Sequence, residues 1–230
     1  HFGYHPESEK LHYICPLADE AVARAAFEAE GYDKVSFCRG HCYVGGFVGS
    51  KVMRDRWIEP MIEQWVHRVK ELSKVVQRYP QTAYAGFTQS LQSEWQYISR
   101  CVAGVEEFLQ PVEDAIREYF LPAILQEPAD NIADEFRTLL GHGVKQGGIN
   151  VRNPTLTASR LFESSEAACA ALVGCLLSDE ALDLRAHAQC VRQASTETRK
   201  LRVEEESEFV KGLTAGAPKG LKRRLARVGK

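Results

Sequence analysis

A chain of 230 residues with 44% hydrophobic and 26% charged side chains can bury a sizeable core, which excludes a disordered polymer and fits one large domain or two small ones. Its formal net charge of −2 hides an asymmetry. Lys211 to Lys230 carry seven Lys/Arg and no acidic residue, so residues 1–210 hold 22 basic against 31 acidic side chains, an acidic body at −9 with a basic end.

Seven cysteines, an odd number scattered along the chain, do not make a secreted disulfide framework, and no stretch has a signal-peptide pattern. No apolar run approaches the roughly 20 residues that cross a bilayer. The expectation is an intracellular protein with no membrane partner, cytoplasm or nucleus left open. The chain opens on His1-Phe2-Gly3-Tyr4 without a methionine, and the expectation is a fragment preceded by further chain.

In chain order, Lys10 to Cys15 (KLHYIC) alternates Leu11, Tyr13 and Cys15 with Lys10, His12 and Ile14, which predicts a half-buried strand ended by Pro16. Leu17 to Glu30 is alanine-rich, with Asp19 and Glu20 in its first turn and Gly31 past its last, the pattern of a capped helix. Asp33–Cys38 and His41–Val48 supply two more strands. Residues 10–49 therefore read as a strand–helix–strand–strand unit, half a sheet that needs strands from elsewhere. Its organising stretch is Cys38 to Gly49 (CRGHCYVGGFVG), broken at Gly40 and loosened at Gly45-Gly46, where glycine admits positive φ and close backbone approach.

Beyond it the period changes to helical. Ile58, Met61, Ile62, Trp65, Val69, Leu72 and Val76 share one face; Pro60 suits a first turn, so the main helix is placed from about Trp57, with Lys51–Arg56 a turn of its own. Tyr79-Pro80 ends it. A second helix is predicted over Gln81–Val102, a third over Glu106–Tyr119, and one more between Asp130 and Leu140. HGVKQGGINVRNP is turn-rich, with a short strand at Ile149–Val151. Leu156–Leu177 reads as helix, Ser178-Asp179 as the N-cap of a long charged helix over Glu180–Lys211, and 212–230 as a flexible tail.

The chain has no Gly-x-Ser-x-Gly, no Gly-x4-Gly-Lys-Ser/Thr phosphate loop and no Gly-x-Gly-x-x-Gly after a strand, which weakens most enzyme classes. His12-x2-Cys15 and Cys38-x3-Cys42 with His41 form a loose zinc-type set, although Cys15 and Cys38 also stand where strand-core residues belong. The carboxylate pairs Asp19-Glu20, Glu113-Asp114, Asp134-Glu135 and Asp179-Glu180 sit at helix starts, where they complement the dipole. Trp57, Trp65 and Trp95 fit either core positions or stacking platforms for bases. Arg54, Arg56, Arg68, Lys70, Lys74 and Arg78 give the first long helix a basic stripe.

Taken in order, four blocks resemble the C-terminal part of a reverse transcriptase of the non-LTR retrotransposon type. FGYHPESEK (Phe2–Lys10) resembles the motif after the catalytic strands, and GHCYVGGFVG (Gly40–Gly49) the primer-grip hairpin. PQTAYAGFTQSLQSEWQYISR (Pro80–Arg100) is similar to the thumb helix, and VKQGGINVRNPTLTASRLFESS (Val144–Ser165) to the later Gly-Gly block; together they cover about residues 2–175. The resemblance implies an α+β chain: the end of a polymerase palm over 1–49, a mostly helical thumb and connection over 50–210, and a basic flexible tail over 211–230. It implies RNA-directed DNA polymerase (nucleotidyltransferase) chemistry with two Mg²⁺ ions on aspartates of a Tyr-x-Asp-Asp turn and an earlier strand. No such turn is present, so the catalytic centre and its Mg²⁺ are expected upstream and this fragment alone is expected to be inactive.

By the same resemblance, Lys10 matches a proton donor or phosphate contact, a position a solvated lysine also fits. Tyr43, Val44, Gly45 and Gly46 match the primer grip, and Gln92 is a nucleic-acid candidate in the thumb block. Val44 stands where leucine is usual, and Cys42 where a basic residue often stands. The implied partners are an RNA template, a DNA primer and, through the palm, deoxynucleotides. The alternative is a non-enzymatic helical interaction module or degenerate remnant; a third reading is a small zinc protein centred on Cys38 and Cys42.

Overall fold

The computed structural model describes residues 7–215, which form a mostly helical chain with four short strands among them. Most of the FGYHPESEK block and the basic tail from residue 216 lie outside the described residues. The chain divides into two compact units, His1–Met61 and Ile62–Lys230.

In the first unit, strand β1 (His12–Ile14) runs parallel to β2 (Ser36–Cys38), and helix α1 (Glu20–Ala29) makes the crossover. The aromatic residues of the three elements hold them together: Phe27 meets Tyr13 at 5.1 Å and Phe37 at 5.9 Å edge to face, and Arg24 lies 4.3 Å over the Phe37 ring. Two strands leave most of this sheet exposed, and Val35 is the one apolar residue of 10–49 that is fully buried. β3 (Gly40–Tyr43) and β4 (Gly46–Gly49) form an antiparallel hairpin, which corrects the single strand expected over His41–Val48: positive φ at Val44 and Gly45 turns the chain back on itself.

Helix α2 (Lys51–Val76) is continuous, with Pro60 inside it, and this corrects the expected break before Trp57. Proline removes one backbone donor and crowds the preceding turn. The first turns are nevertheless pinned: Met53 and Arg54 donate to the Ser50 carbonyl, Trp57 packs on Phe47 at 5.3 Å, and Ile58 is fully buried. Those contacts also explain why the first unit extends to Met61 and not to residue 49.

In the second unit, α3 (Pro80–Gly86) starts with its proline in the first turn and continues through a π-turn at Phe87–Leu91 into α4 (Gln92–Cys101). The pattern repeats: α5 (Gln110–Ala115) passes through a π-turn at Ile116–Phe120 into α6 (Leu121–Leu125). Phe87 and Phe120, one from each π-turn, stack at 4.3 Å in the core, and Trp95 packs edge-on against both Phe87 and Trp65. Trp65 and Trp95 are thus core residues, 2% and 1% exposed, each worth about 3–5 kcal/mol against alanine. Glu94 accepts from the Trp65 indole at 3.0 Å, which satisfies the one polar atom of that ring.

α7 (Asp134–Gly141) precedes the glycine-rich segment, α8 (Pro154–Ser178) follows it, and α9 (Leu184–Ala215) packs along α8. Asn153 caps α8, accepting from the Thr155 amide at 2.9 Å. The expected cap at Ser178-Asp179 is corrected. Ser178 is the last residue of α8, Asp179 closes it at φ 56°, and Asp183 caps α9 by accepting from the amides of Arg185 and Ala186. The carboxylate four residues further on wins because the left-handed Asp179 first ends one helix before another starts. Residues 212–215 are helical, where a flexible tail was expected.

α8 also corrects the expectation that no apolar run reaches membrane length. Its 25 residues contain an 18-residue window of mean hydropathy 1.4, enough to span a bilayer by length and composition, with none of that window fully buried. Alanine, serine, glycine and cysteine dilute the run without adding charge, so it does not stand out as a block of large apolar residues.

Candidate functional site

Two places concentrate unusual chemistry, one in each unit. The first is the tip of the β3–β4 hairpin. Tyr43 pairs with Gly46, so Val44 and Gly45 alone make the turn, at φ 50° and 77°. Positive φ at both central positions is what a tight type I′ hairpin needs, and asparagine or aspartate is the usual first residue. A β-branched valine there costs about 1–2 kcal/mol. The turn is not built around buried side chains: Tyr43 and Val44 are 72% and 73% exposed, and Gly46 is the buried residue of the tip.

Glycine is obligatory at the hairpin's base. A Cβ on Gly49, at φ 145°, would meet the Gly40 Cα and the Arg39 carbonyl, and a Cβ on Gly40 would meet the Phe47 ring. Of the other predicted positions in this unit, Lys10 is exposed and pairs with Glu7 at 2.7 Å. His12 and His41 stack face to face at 3.8 Å. Among the described residues no three His, Cys, Asp or Glu side chains gather at ligand spacing, so the His/Cys set of the zinc reading does not come together. All seven cysteines are free.

The second place is built on residues 149–152. The strand expected there is absent. In its place an irregular segment has three successive carbonyls each bonded by a side chain from a different helix. Tyr84 of α3 donates to Ile149 at 2.7 Å, Gln92 of α4 to Asn150 at 3.2 Å, and Arg137 of α7 to Val151 at 2.8 Å. Gln92 also accepts from the Arg152 amide at 2.9 Å, so this predicted site residue is 2% exposed with both ends of its amide bonded to backbone. The segment's own amides return to the end of α7: Ile149 and Val151 donate to the Leu140 carbonyl, and Asn150 to that of His142. Every ladder partner a strand would need is supplied by side chains or by a helix end.

Arg137 holds this arrangement by a buried bidentate ion pair with Glu113 of α5, at 2.7 and 2.6 Å, both side chains 3% exposed. Burial pushes the Glu113 carboxyl above its ordinary value, while the Arg137 hydrogen bonds pull it back.

The clamped segment aims Arg152 into a groove of about 870 Å³ whose walls come from α4, α7, α8, α9 and the 149–153 segment. Six arginines line it: 100, 137, 152, 160, 199 and 202. Arg160 is held by Glu205 at 2.7 and 2.8 Å, and Arg202 faces Glu206 more loosely at 3.8 Å. Arg100 and Arg199 are exposed and carry no ion pair or hydrogen bond among the described residues. Burial lowers the Arg152 pKa from its ordinary value, Arg202 and Arg100 lower it further, and Glu206 opposes them. Setting the six arginines against Glu113, Glu205 and Glu206 leaves three positive charges, on a body whose overall sign is negative.

Sequence reasoning placed the cationic patch elsewhere, on the first long helix. There Arg54 pairs with Asp55, Arg68 with Glu94 and Lys74 with Glu71, while Lys70 and Arg78 lie over Tyr119 and Tyr79. The groove's arginines come from separate segments and so form no run in the sequence. The Arg199/Arg202 pair, three apart on one helix face, was the available hint.

Comparison with protein-family models, with curated proteins and with solved structures finds no match for this chain.

Proposed function

We propose that the chain is the closing part of the palm and the helical thumb of an RNA-directed DNA polymerase of a retroelement, handling template and primer in an intracellular setting. The observation that carries this reading is the hairpin tip. Val44 holds a strained left-handed conformation at a glycine turn whose tyrosine and valine are exposed, and strain of this kind collects where a backbone meets a ligand. Backbone amides at a glycine turn suit phosphate oxygens of a primer strand.

In this reading Tyr43, Val44, Gly45 and Gly46 form the contact surface, and Lys10 is a proton donor or phosphate contact. Gln92 acts indirectly, by holding the 150–152 segment. In this reading the Mg²⁺ ions are held by aspartates of a Tyr-x-Asp-Asp turn, a motif that this sequence does not contain.

The test is fluorescence anisotropy of the chain with a labelled RNA–DNA primer duplex at two salt concentrations, comparing wild type with Tyr43→Ala and Gly45→Val. Salt-sensitive binding weakened several-fold by either substitution is expected. Equal binding by all three proteins rejects the assignment.

A second reading, a non-enzymatic helical interaction module, is favoured by the far end of the α8–α9 pair. There Leu176, Leu177 and Leu184 are 75%, 84% and 71% exposed, a clustering that marks interaction surfaces. A change of oligomeric state in Leu176→Gln/Leu177→Gln, with no duplex binding by the parent chain, favours it.

A further inference from the structure

The arginine groove is a different site from the hairpin tip, and it is described entirely within the second unit. Three properties limit what it can take. It is cationic on an acidic body. Two of its arginines, Arg100 and Arg199, have no protein partner among the described residues, and Arg202 has only a long one, so these charges are not spent on holding the fold. It is also elongated: its lining on α9 runs from Val191 to Phe209, which at about 1.5 Å per residue is roughly 27 Å.

Guanidinium groups arrayed along a groove match phosphate oxygens, to which they can donate two parallel hydrogen bonds. The exposed hydroxyl of Ser195 on the same wall adds a neutral donor, whereas those of Thr157 and Thr198 already donate within the protein, to the Asn153 carbonyl and to the Ala194 carbonyl. A compact anion would occupy a small part of such a length. A duplex is too thick for a space of about 870 Å³, whereas a single strand fits along it.

We propose that the groove between α4, α7, α8 and α9 binds the phosphodiester backbone of a single-stranded nucleic acid, with Arg100, Arg152, Arg199 and Arg202 as the phosphate contacts. Arg152 is the positioned member, set by its Nε–H bond to Asn150 Oδ1 at 3.0 Å and by the Gln92 clamp on its amide. Arg100, Arg199 and Arg202 are the adjustable members, free to follow a flexible backbone. Glu206, 8% exposed beside them, balances part of this positive charge. The inference stands without the primer-grip reading.

The experiment is anisotropy of the full chain with a labelled 12-nucleotide oligothymidylate, titrated from 50 to 200 mM salt, with inorganic tripolyphosphate as competitor. Wild type is compared with Arg100→Glu/Arg199→Glu and with Arg192→Glu/Lys200→Glu, a pair on α9 outside the groove lining that changes net charge equally. All these side chains are exposed, and circular dichroism confirms folding.

The expected result is at least tenfold weaker binding for the groove pair alone, a salt slope reduced by about 0.7 for each lost contact, and an oligonucleotide that outcompetes tripolyphosphate. An equal loss in both pairs means a general charge effect and overturns the proposal. So does the absence of strand binding at 50 mM salt. Tighter binding of tripolyphosphate than of the strand would assign the groove to a compact polyphosphate and overturn the strand. Because the hairpin is intact in every variant, loss of duplex binding through Tyr43→Ala leaves this result unaffected.

Discussion

Arg137 grips Glu113 through two hydrogen bonds while its third nitrogen holds the Val151 carbonyl, so one buried guanidinium joins α5, α7 and the glycine-rich segment. Removing one partner leaves the other buried without its counter-charge. Glu113→Ala is expected to lower stability by about 3–5 kcal/mol, read as a shift in the urea unfolding midpoint. A loss below about 1 kcal/mol would mean that the pair is solvated. The arrangement also ties the pair to the groove, since Val151 immediately precedes Arg152.

Two glycines separate close packing from mere flexibility. A Cβ on Gly148 would meet the carbonyl oxygens of His142 and Leu139, so Gly148→Ala must push backbone apart and is expected to destabilise by about 1–3 kcal/mol. Gly174, within α8, has nothing within 4 Å of such a Cβ, and Gly174→Ala is expected to stabilise by about 0.5–1 kcal/mol. Thermal unfolding of both variants checks the pair, and the signs must be opposite.

Val44 makes a prediction in which stability and function move apart. Val44→Asn relieves the left-handed strain and is expected to raise stability by about 1 kcal/mol, measured by chemical unfolding. If the hairpin tip contacts a primer through this residue, duplex binding falls in the same variant. A simultaneous gain in both would leave the tip as an ordinary turn.

His142 carries a pH signature. Its Nδ1 is buried with no hydrogen-bond partner, and burial lowers its pKa from the ordinary 6.5, with Glu206 opposing. Above the unfolded value the ring is neutral in both states and contributes no pH dependence. As pH falls below it, the unfolded chain takes up the proton first, so the folded state loses stability progressively on acidification. His142→Gln, which cannot titrate, is expected to show a shallower fall in melting temperature between pH 7 and pH 5. Parallel profiles would place the acid sensitivity in other groups.

Much of the helical order was legible because it rests on local periodicity. The stripe Phe87, Leu91, Trp95, Ile98 predicted a buried face, and each of these residues is buried. The stripe did not reveal the π-turns, because one extra residue per turn barely disturbs a short apolar pattern. Pro60 was read as a helix start on steric grounds, whereas contacts of Trp57 and Ile58 keep the helix running through it. The strand expected at Ile149–Val151 is absent: Asn150 turns at φ 56°, and of the three residues only Val151 is fully buried. Which groups would bond its carbonyls depended on Tyr84, Gln92 and Arg137, residues 14 to 65 positions away.

By itself the sequence determined the succession of a small strand-and-helix unit and long amphipathic helices, and the acidic balance of the body, since composition and period are local properties. Only the tertiary structure decided which charges remain available. Ion pairs and ring contacts occupy most of the cations of the first long helix, while packing of α4, α7, α8 and α9 brings Arg100, Arg152, Arg199 and Arg202 to one groove. Electrostatic potential sums over neighbours in space, and those neighbours are fixed by how helices pack.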